Sequence, residues 1–231
     1  MFCGACRHRG VSLGWVSLAA FLCFFSASLW AQTSAAPASD AAGWMDILPD
    51  PSFHGWTRVA IPPERALDPV TQWKVDRSGR IVICEGDRGH EWLRYDRELA
   101  DLILHVEWRF TPGAGLKGYN SGVFVRNSAD GSVWHQAQVG AGNDGYLFGR
   151  TLLEGKIAPM KFSPKPEVNR IKPPGEWNTY EVRCQGPQLT LWVNGGLSSE
   201  FTASEVPKGY LGLEAEGFRI EFRNIRIKLL P

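Results

Sequence analysis

Leu102–Asn127 reads LILHVEWRF, then TPGAGLKGYNS, then GVFVRN, and its two limbs decide the fold. In the first limb Leu102, Leu104, Val106, Trp108 and Phe110 alternate with Ile103, His105, Glu107 and Arg109. A strand sends successive side chains to opposite faces, so this is a half-buried β-strand. The second limb sets Val123 and Val125 against Phe124 and Arg126. β-branched and aromatic residues suit such a pleated surface. Pro112, Gly113, Gly115 and Gly118 break the chain between them. Read as neighbouring strands, the limbs carry Glu107, Arg109 and Arg126 on faces away from the apolar layer. Those groups could bind a polar ligand, or be ordinary surface ion pairs.

The same pattern recurs outward from this stretch. Trp73–Val75, Arg80–Cys84, Gly89–Arg94, Trp134–Val139, Tyr146–Phe148, Trp177–Cys184, Gln188–Val193, Tyr210–Ala215 and Phe218–Leu229 read as strands. Asn194-Gly195 is a hairpin turn signal. Lys156–Pro174 reads as a long, proline-rich polar loop. No long run of apolar residues has helical spacing, and no repeat is visible. Many short strands between Gly/Pro/Asn turns predict an all-β, antiparallel β-sandwich jelly roll.

The N-terminus has a different character. Arg7, His8 and Arg9 precede an apolar run, Val11–Trp30, and Ala31 is a plausible cleavage position. This predicts a signal peptide over 1–31, a spacer over 32–43 and one β-sandwich domain over 44–231, exported to the periplasm or secreted. A retained membrane anchor is the alternative. Removing Arg7 and Arg9 takes the formal charge from +1 to −1, since no acidic residue is lost. So balanced a chain gives no electrostatic reason to expect nucleic acid or a membrane surface as partner. The mature chain keeps Cys84 and Cys184, either as a disulfide or as buried thiols.

Familiar catalytic signatures are missing. The sequence has no GxSxG elbow, HExxH helix or phosphate loop, and no strand carries the ExDxxE carboxylates of laminarinase-type sandwiches. What remains is a set of polar residues on alternating strands. Glu107 and Arg109 share a face with His105, a candidate general base. Gln136 and Gln138 share another, and Glu214 and Glu216 a third. His135 has the parity of a core position, which favours a hydrogen-bonded structural histidine over a catalytic one. Trp134 and Trp192 lie opposite the apolar residues of their strands, where either could stack on a sugar. Such a face of carboxylates, amides and guanidiniums suits a polyhydroxylated ligand, although surface decoration would look the same. The scattered histidines show no metal-ligand spacing.

Taken together, WKVDRSGRIVICEG, WLRYDRELADLILHVEWRF, NSGVFVR, PPGEWNTYEVRCQG, LTLWVNG and GYLGLEAEGFRIEFRNIRI resemble the 3-keto-disaccharide hydrolase domain family. The resemblance implies the concanavalin A-like lectin/glucanase fold and exported bacterial proteins acting on 3-keto-glycosides. It also implies a chemistry that dispenses with a carboxylate dyad. A C3 ketone acidifies the C2 proton, a base removes it, the C1 substituent leaves, and water adds back. On this reading Glu107 or His105 is the base and Arg109 or Arg126 stabilises the enolate. Asn120, His135, Gln136, Gln138, Glu214 and Glu216 are candidate substrate-binding positions. Many relatives read E-x-Q where this chain has Gln136-Ala137-Gln138, and an amide is neither a base nor a carboxylate-like cation ligand. The family resemblance leaves room for a divalent cation, with no ligand set named from sequence. A non-catalytic carbohydrate-binding module of the same fold is the competing reading.

Overall fold

Alternation fixes which face each strand buries, and the computed structural model shows how those faces meet. It describes residues 43–76, 80–142, 144–160 and 167–231. The expected signal peptide and spacer lie, but for Gly43, outside the described residues. Among the described residues there is no helix. The strands are β1 (Trp44–Asp46), β2 (Trp56–Ala60), β3 (Trp73–Asp76), β4 (Ile81–Cys84), β5 (Glu91–Tyr95), β6 (Leu102–Phe110), β7 (Asn120–Asn127) and β8 (Trp134–Gly140). They continue with β9 (Leu147–Leu153), β10 (Lys156–Pro159), β11 (Asn178–Gln185), β12 (Gln188–Val193), β13 (Gly196–Phe201), β14 (Tyr210–Ala215) and β15 (Ile220–Leu229).

Two antiparallel sheets result. The first runs β13-β12-β11-β6-β15-β4-β3, with β1 also paired to β15. The second runs β10-β9-β8-β7-β14-β5-β2. Leu102, Leu104, Val106, Trp108 and Phe110 of β6 face Val123, Val125, Ala137, Val139, Leu213 and Ala215 of the second sheet in one core. Burying each large apolar side chain there contributes roughly 1.5–3 kcal/mol. Trp108 packs edge-on against Phe110 and Tyr180, at 5.6 and 5.3 Å between ring centres. The antiparallel sandwich read from the sequence is the fold of the chain.

Three sequence expectations change. The strands β6 and β7 are not neighbours: the connection 111–119 carries the chain from the first sheet to the second, so their outer faces point in opposite directions. Arg126 leaves its expected face because a bulge, with φ +50° at Arg126 and a register shift opposite Tyr210–Gly212, turns it inward. There its guanidinium, fully buried, donates to Asp101 Oδ1 at 2.7 Å and to the carbonyls of Gly186 and Val206 at 2.6 and 3.0 Å. The supposed loop after 156 begins as edge strand β10, paired with β9 and ending at Pro159, where a missing N–H costs least. Cys84 and Cys184 are free and buried, and burial pushes both thiols up, Cys184 to about 12.

Candidate functional site

The outer face of the second sheet holds the candidate site, because alternation sends its polar and aromatic residues there while Val123, Ala137 and Leu213 face the core. Along β8 these outward residues are Trp134, Gln136 and Gln138; along β7, Asn120 and Phe124. From β14 comes Glu214, with Glu216 just beyond the strand. Trp92 comes from β5, with His90 just before it. They line a cavity of about 640 Å³ with Tyr146, Phe148 and the segment Ala60–Pro63. Glycines on the floor let two of these side chains lie across the sheet. A Cβ on Gly122 would collide with the Gln136 amide, and one on Gly212 with the Trp92 ring.

At the centre stands Glu214, nearly buried. Its Oε1 lies 2.8 Å from His90 Nε2, and its Oε2 accepts from Gln136 Nε2 at 2.8 Å. Gln138 Nε2 donates to Asn120 Oδ1 at 2.6 Å beside them. Glu216 is more open, with its Oε2 4.0 Å from His90 Nε2. Backbone clamps hold His90 in place: the Ile61 N–H donates to its carbonyl at 3.0 Å, and Gln72 Nε2 donates to the Gly89 carbonyl at 3.1 Å. The next residue, Glu91, points the other way and is buried against Arg58 and the Trp73 indole N–H, at 2.7 and 2.9 Å.

The electrostatics follow from this crowding. Burial opposes charge on His90, but the Glu214 hydrogen bond and the charges of Glu214 and Glu216 outweigh it and raise its pKa. Burial and the neighbouring Glu214 charge raise the pKa of Glu216, only partly offset by His90. The arrangement therefore favours the protonated form of the imidazole and makes the carboxylate beside it more basic. The ligand atoms of His90, Glu214 and Glu216 lie within 4.8 Å of one another, so these three could also hold one divalent cation. One imidazole and two carboxylates are a donor set that suits a transition metal.

The structure divides the sequence-derived candidates. Asn120, Gln136, Gln138, Glu214 and Glu216 come together in this cavity. His105, Glu107 and Arg109 lie on the outer face of the other sheet, each engaged by a neighbouring strand. His105 Nδ1 lies 3.1 Å from Glu181 Oε1; Glu107 accepts from Arg223 at 2.7 Å and Asn224 at 2.9 Å; Arg109 donates to Glu221 at 2.8 Å. Burial opposes charge on Glu107, but those hydrogen bonds prevail and hold its pKa low. Arg126 is in the interior, as described. His135 is buried too, 2.9 Å from the Thr151 hydroxyl, and desolvation pulls its pKa down to about 4.

His90, Trp92, Phe124, Asn127, Tyr146 and Phe148 escaped the sequence reading. The signal for His90 was present: in Gly89–Arg94 the parity of Trp92 is also that of His90. Nothing in the sequence tied it to Glu214, 124 residues away.

The family whose model describes a 3-keto-alpha-glucoside-1,2-lyase-like domain matches residues 43–228. The chain belongs to that family, whose description points to a role on carbohydrates. Among solved structures it is similar to a glycosyl hydrolase candidate from Parabacteroides distasonis, with TM-score 0.59 and 17% identity over 85% of this chain and 100% of that one. It is also similar to a carbohydrate-binding module from Bacillus subtilis, with TM-score 0.55 and 16% identity over 75% and 95% of the two chains. LamAcat from Zobellia galactanivorans shares the fold at TM-score 0.53 and 13% identity, over 78% and 92%. No curated protein matches the chain in sequence.

Proposed function

We propose that this chain is an exported, periplasmic or secreted enzyme that cleaves 3-keto-glycosides in the cavity of the second sheet. The observation that carries the reading is a histidine between two carboxylates whose burial and mutual crowding raise the pKa of Glu216, at the edge of a cavity of about 640 Å³.

The chemistry needs one base and one group that favours an enolate. Glu216, made more basic by burial and by Glu214, takes the proton from C2 of the 3-keto sugar. The C2–H electron pair becomes the enolate, with its charge on the C3 oxygen. His90, held as an imidazolium by Glu214, donates a hydrogen bond to that oxygen. The enolate then re-forms the ketone as the C1–O bond breaks, and the leaving oxygen takes the proton that Glu216 collected. A 1,2-unsaturated 3-keto sugar results. Water adds across its double bond, hydroxyl at C1 and proton at C2, giving net hydrolysis. Asn120, Gln136 and Gln138 supply donors and acceptors for sugar hydroxyls. Were His90, Glu214 and Glu216 instead to hold a divalent cation, His90 would be neutral and the cation would supply polarisation of the C3 carbonyl in place of the imidazolium.

The second reading, a carbohydrate-binding module, is favoured by the amides of Asn120, Gln136 and Gln138 and the ring of Trp134, which line the cavity and suit a sugar without acid–base chemistry. The test incubates the mature chain with a 3-keto-glucoside, with and without EDTA, and follows released sugar. Release, lowered roughly 10²–10⁴-fold in Glu216→Gln, is the expected result. Sensitivity to EDTA would add the cation to the account. Saturable binding without release would establish the second reading, and neither would overturn both.

A further inference from the structure

The cavity has two unlike ends. His90, Glu216, Asn120 and Gln138 cluster at one. Four residues back along β8 from Gln138, about 13 Å at strand spacing, stands Trp134. Its ring meets Phe148 edge-on at 5.1 Å, and Phe148 leads back to Tyr146, level with Gln138, at 5.6 Å. Phe124 lies between, locked edge-on against Trp92 at 5.6 Å. The facing flank of the cavity runs from Ile61, beside His90, through Pro62 to Pro63. Pro63 reaches the tip of the β7–β8 hairpin, where a Cβ added to Gly131 would stand 3.2 Å from its Cγ. This end is therefore walled on both flanks by rings and proline. The polar side chains lining it are Asn127, whose Oδ1 already accepts the His135 N–H at 2.9 Å, and Gln136, whose amide already donates to Glu214 Oε2 at 2.8 Å.

A second sugar seated there would bring several hydroxyls to a surface built mostly of rings and proline, whose two amides are already engaged, and each hydroxyl left without a partner weakens binding. A flat aromatic ring would instead lie in the slot with its faces and edges matched by Trp134, Phe124 and Phe148. We propose that the leaving group is aromatic: the substrate is a 3-keto-glycoside of a phenol, its sugar at the polar end and its ring beside Trp134. This rests on the reading of the polar end as the 3-keto-glycoside site.

Phenols are better leaving groups than alcohols, so turnover alone would mislead. The test uses non-cleavable ligands, the phenyl and methyl C-glycosides of 3-keto-glucose, titrated calorimetrically against the wild-type chain, Trp134→Ala and Phe148→Leu. The phenyl ligand is expected to bind about tenfold more tightly than the methyl ligand, equivalent to about 1.4 kcal/mol. That preference should collapse in Trp134→Ala and shrink in Phe148→Leu, with thermal unfolding confirming that both variants fold. Equal affinity for the two ligands, or a preference that survives Trp134→Ala, would overturn the proposal. Turnover of 3-keto-trehalose and of the phenyl O-glycoside is measured separately. Failure of both to react would sink the enzymatic reading, whereas the binding preference judges the aromatic slot.

Discussion

Each outer face of this sandwich carries a histidine paired with a glutamate, and the two pairs differ in what surrounds them. On the first sheet His105 lies 3.1 Å from Glu181 and 3.8 Å from Glu107, beneath the edge of Trp44, and Glu107 is answered by Arg223 and Asn224 at the edge of a smaller cavity of about 410 Å³. Arg109 and Arg223 both pack on the Trp177 ring, at 4.5 and 4.0 Å. Opposite charges there meet across strands, and the Glu107 carboxyl sits below its usual range. On the second sheet His90 lies 2.8 Å from Glu214 with a further carboxylate, Glu216, 4.0 Å away, and the group opens onto a cavity. Its pKa and that of Glu216 are both pushed up. Side-chain identity is the same in the two pairs. What differs is compensation: against burial, an amide and an arginine hold the Glu107 carboxyl low, whereas burial and crowding by Glu214 raise that of Glu216, the condition under which a carboxylate can serve as a base.

The largest effect separates the two pairs directly. Glu214→Gln removes the charge that keeps His90 protonated, and turnover of a 3-keto-glycoside should fall roughly 10²–10⁴-fold. Glu181→Gln makes the same change at His105 and should leave turnover of the folded protein within about twofold, because its neighbourhood faces no part of the second sheet's cavity. Steady-state kinetics on the two variants would show it. Comparable losses from both would erase the distinction between the faces.

His135, between the faces, gives the next effect. It stays neutral in the folded chain down to about pH 4, whereas an unfolded histidine protonates near 6.5. Its contribution is therefore fully present above pH 6.5 and lost as pH falls toward 4, about 3 kcal/mol in all. Urea unfolding across that range should show the loss, and His135→Gln should flatten it. His90 has the opposite sign. Its raised pKa stabilises the fold below about 6.5 and that contribution fades as pH rises through the folded value.

Smaller still is Gly212→Ala, where the new methyl meets the Trp92 ring and the Leu93 carbonyl. A loss of roughly 1–3 kcal/mol in the same unfolding measurement is expected. Glu107→Gln on the compensated face should cost no more than about 1 kcal/mol.

Much of this was legible in the alternation. The periodicity of β6, β8 and β14 orients Leu104, Ala137 and Leu213 toward the core, and it placed Glu214 with Glu216 and Gln136 with Gln138 on shared faces. Alternation says which residues share a face, but it is silent on which sheet a strand joins. Glu107 and Arg126 were thus read as neighbours, although a connection of ordinary turn residues carries the chain across the sandwich between them. Arg126 was misread for a second reason: a one-residue bulge reverses parity without leaving a proline or glycine to announce it. His90 was overlooked because it precedes the first paired residue of β5, and its partners arrive from the far end of the sequence.

The central claim is that proton abstraction belongs to the second sheet, and exchange of the C2 hydrogen in heavy water reads that step without waiting for cleavage. A 3-keto-glucoside would be followed by proton NMR with the wild-type chain, Glu216→Gln and Glu107→Gln. The account predicts rapid loss of the C2 signal with wild type and Glu107→Gln, and none above background with Glu216→Gln. Exchange that survives in Glu216→Gln and vanishes in Glu107→Gln would contradict it and move the reaction to the other face.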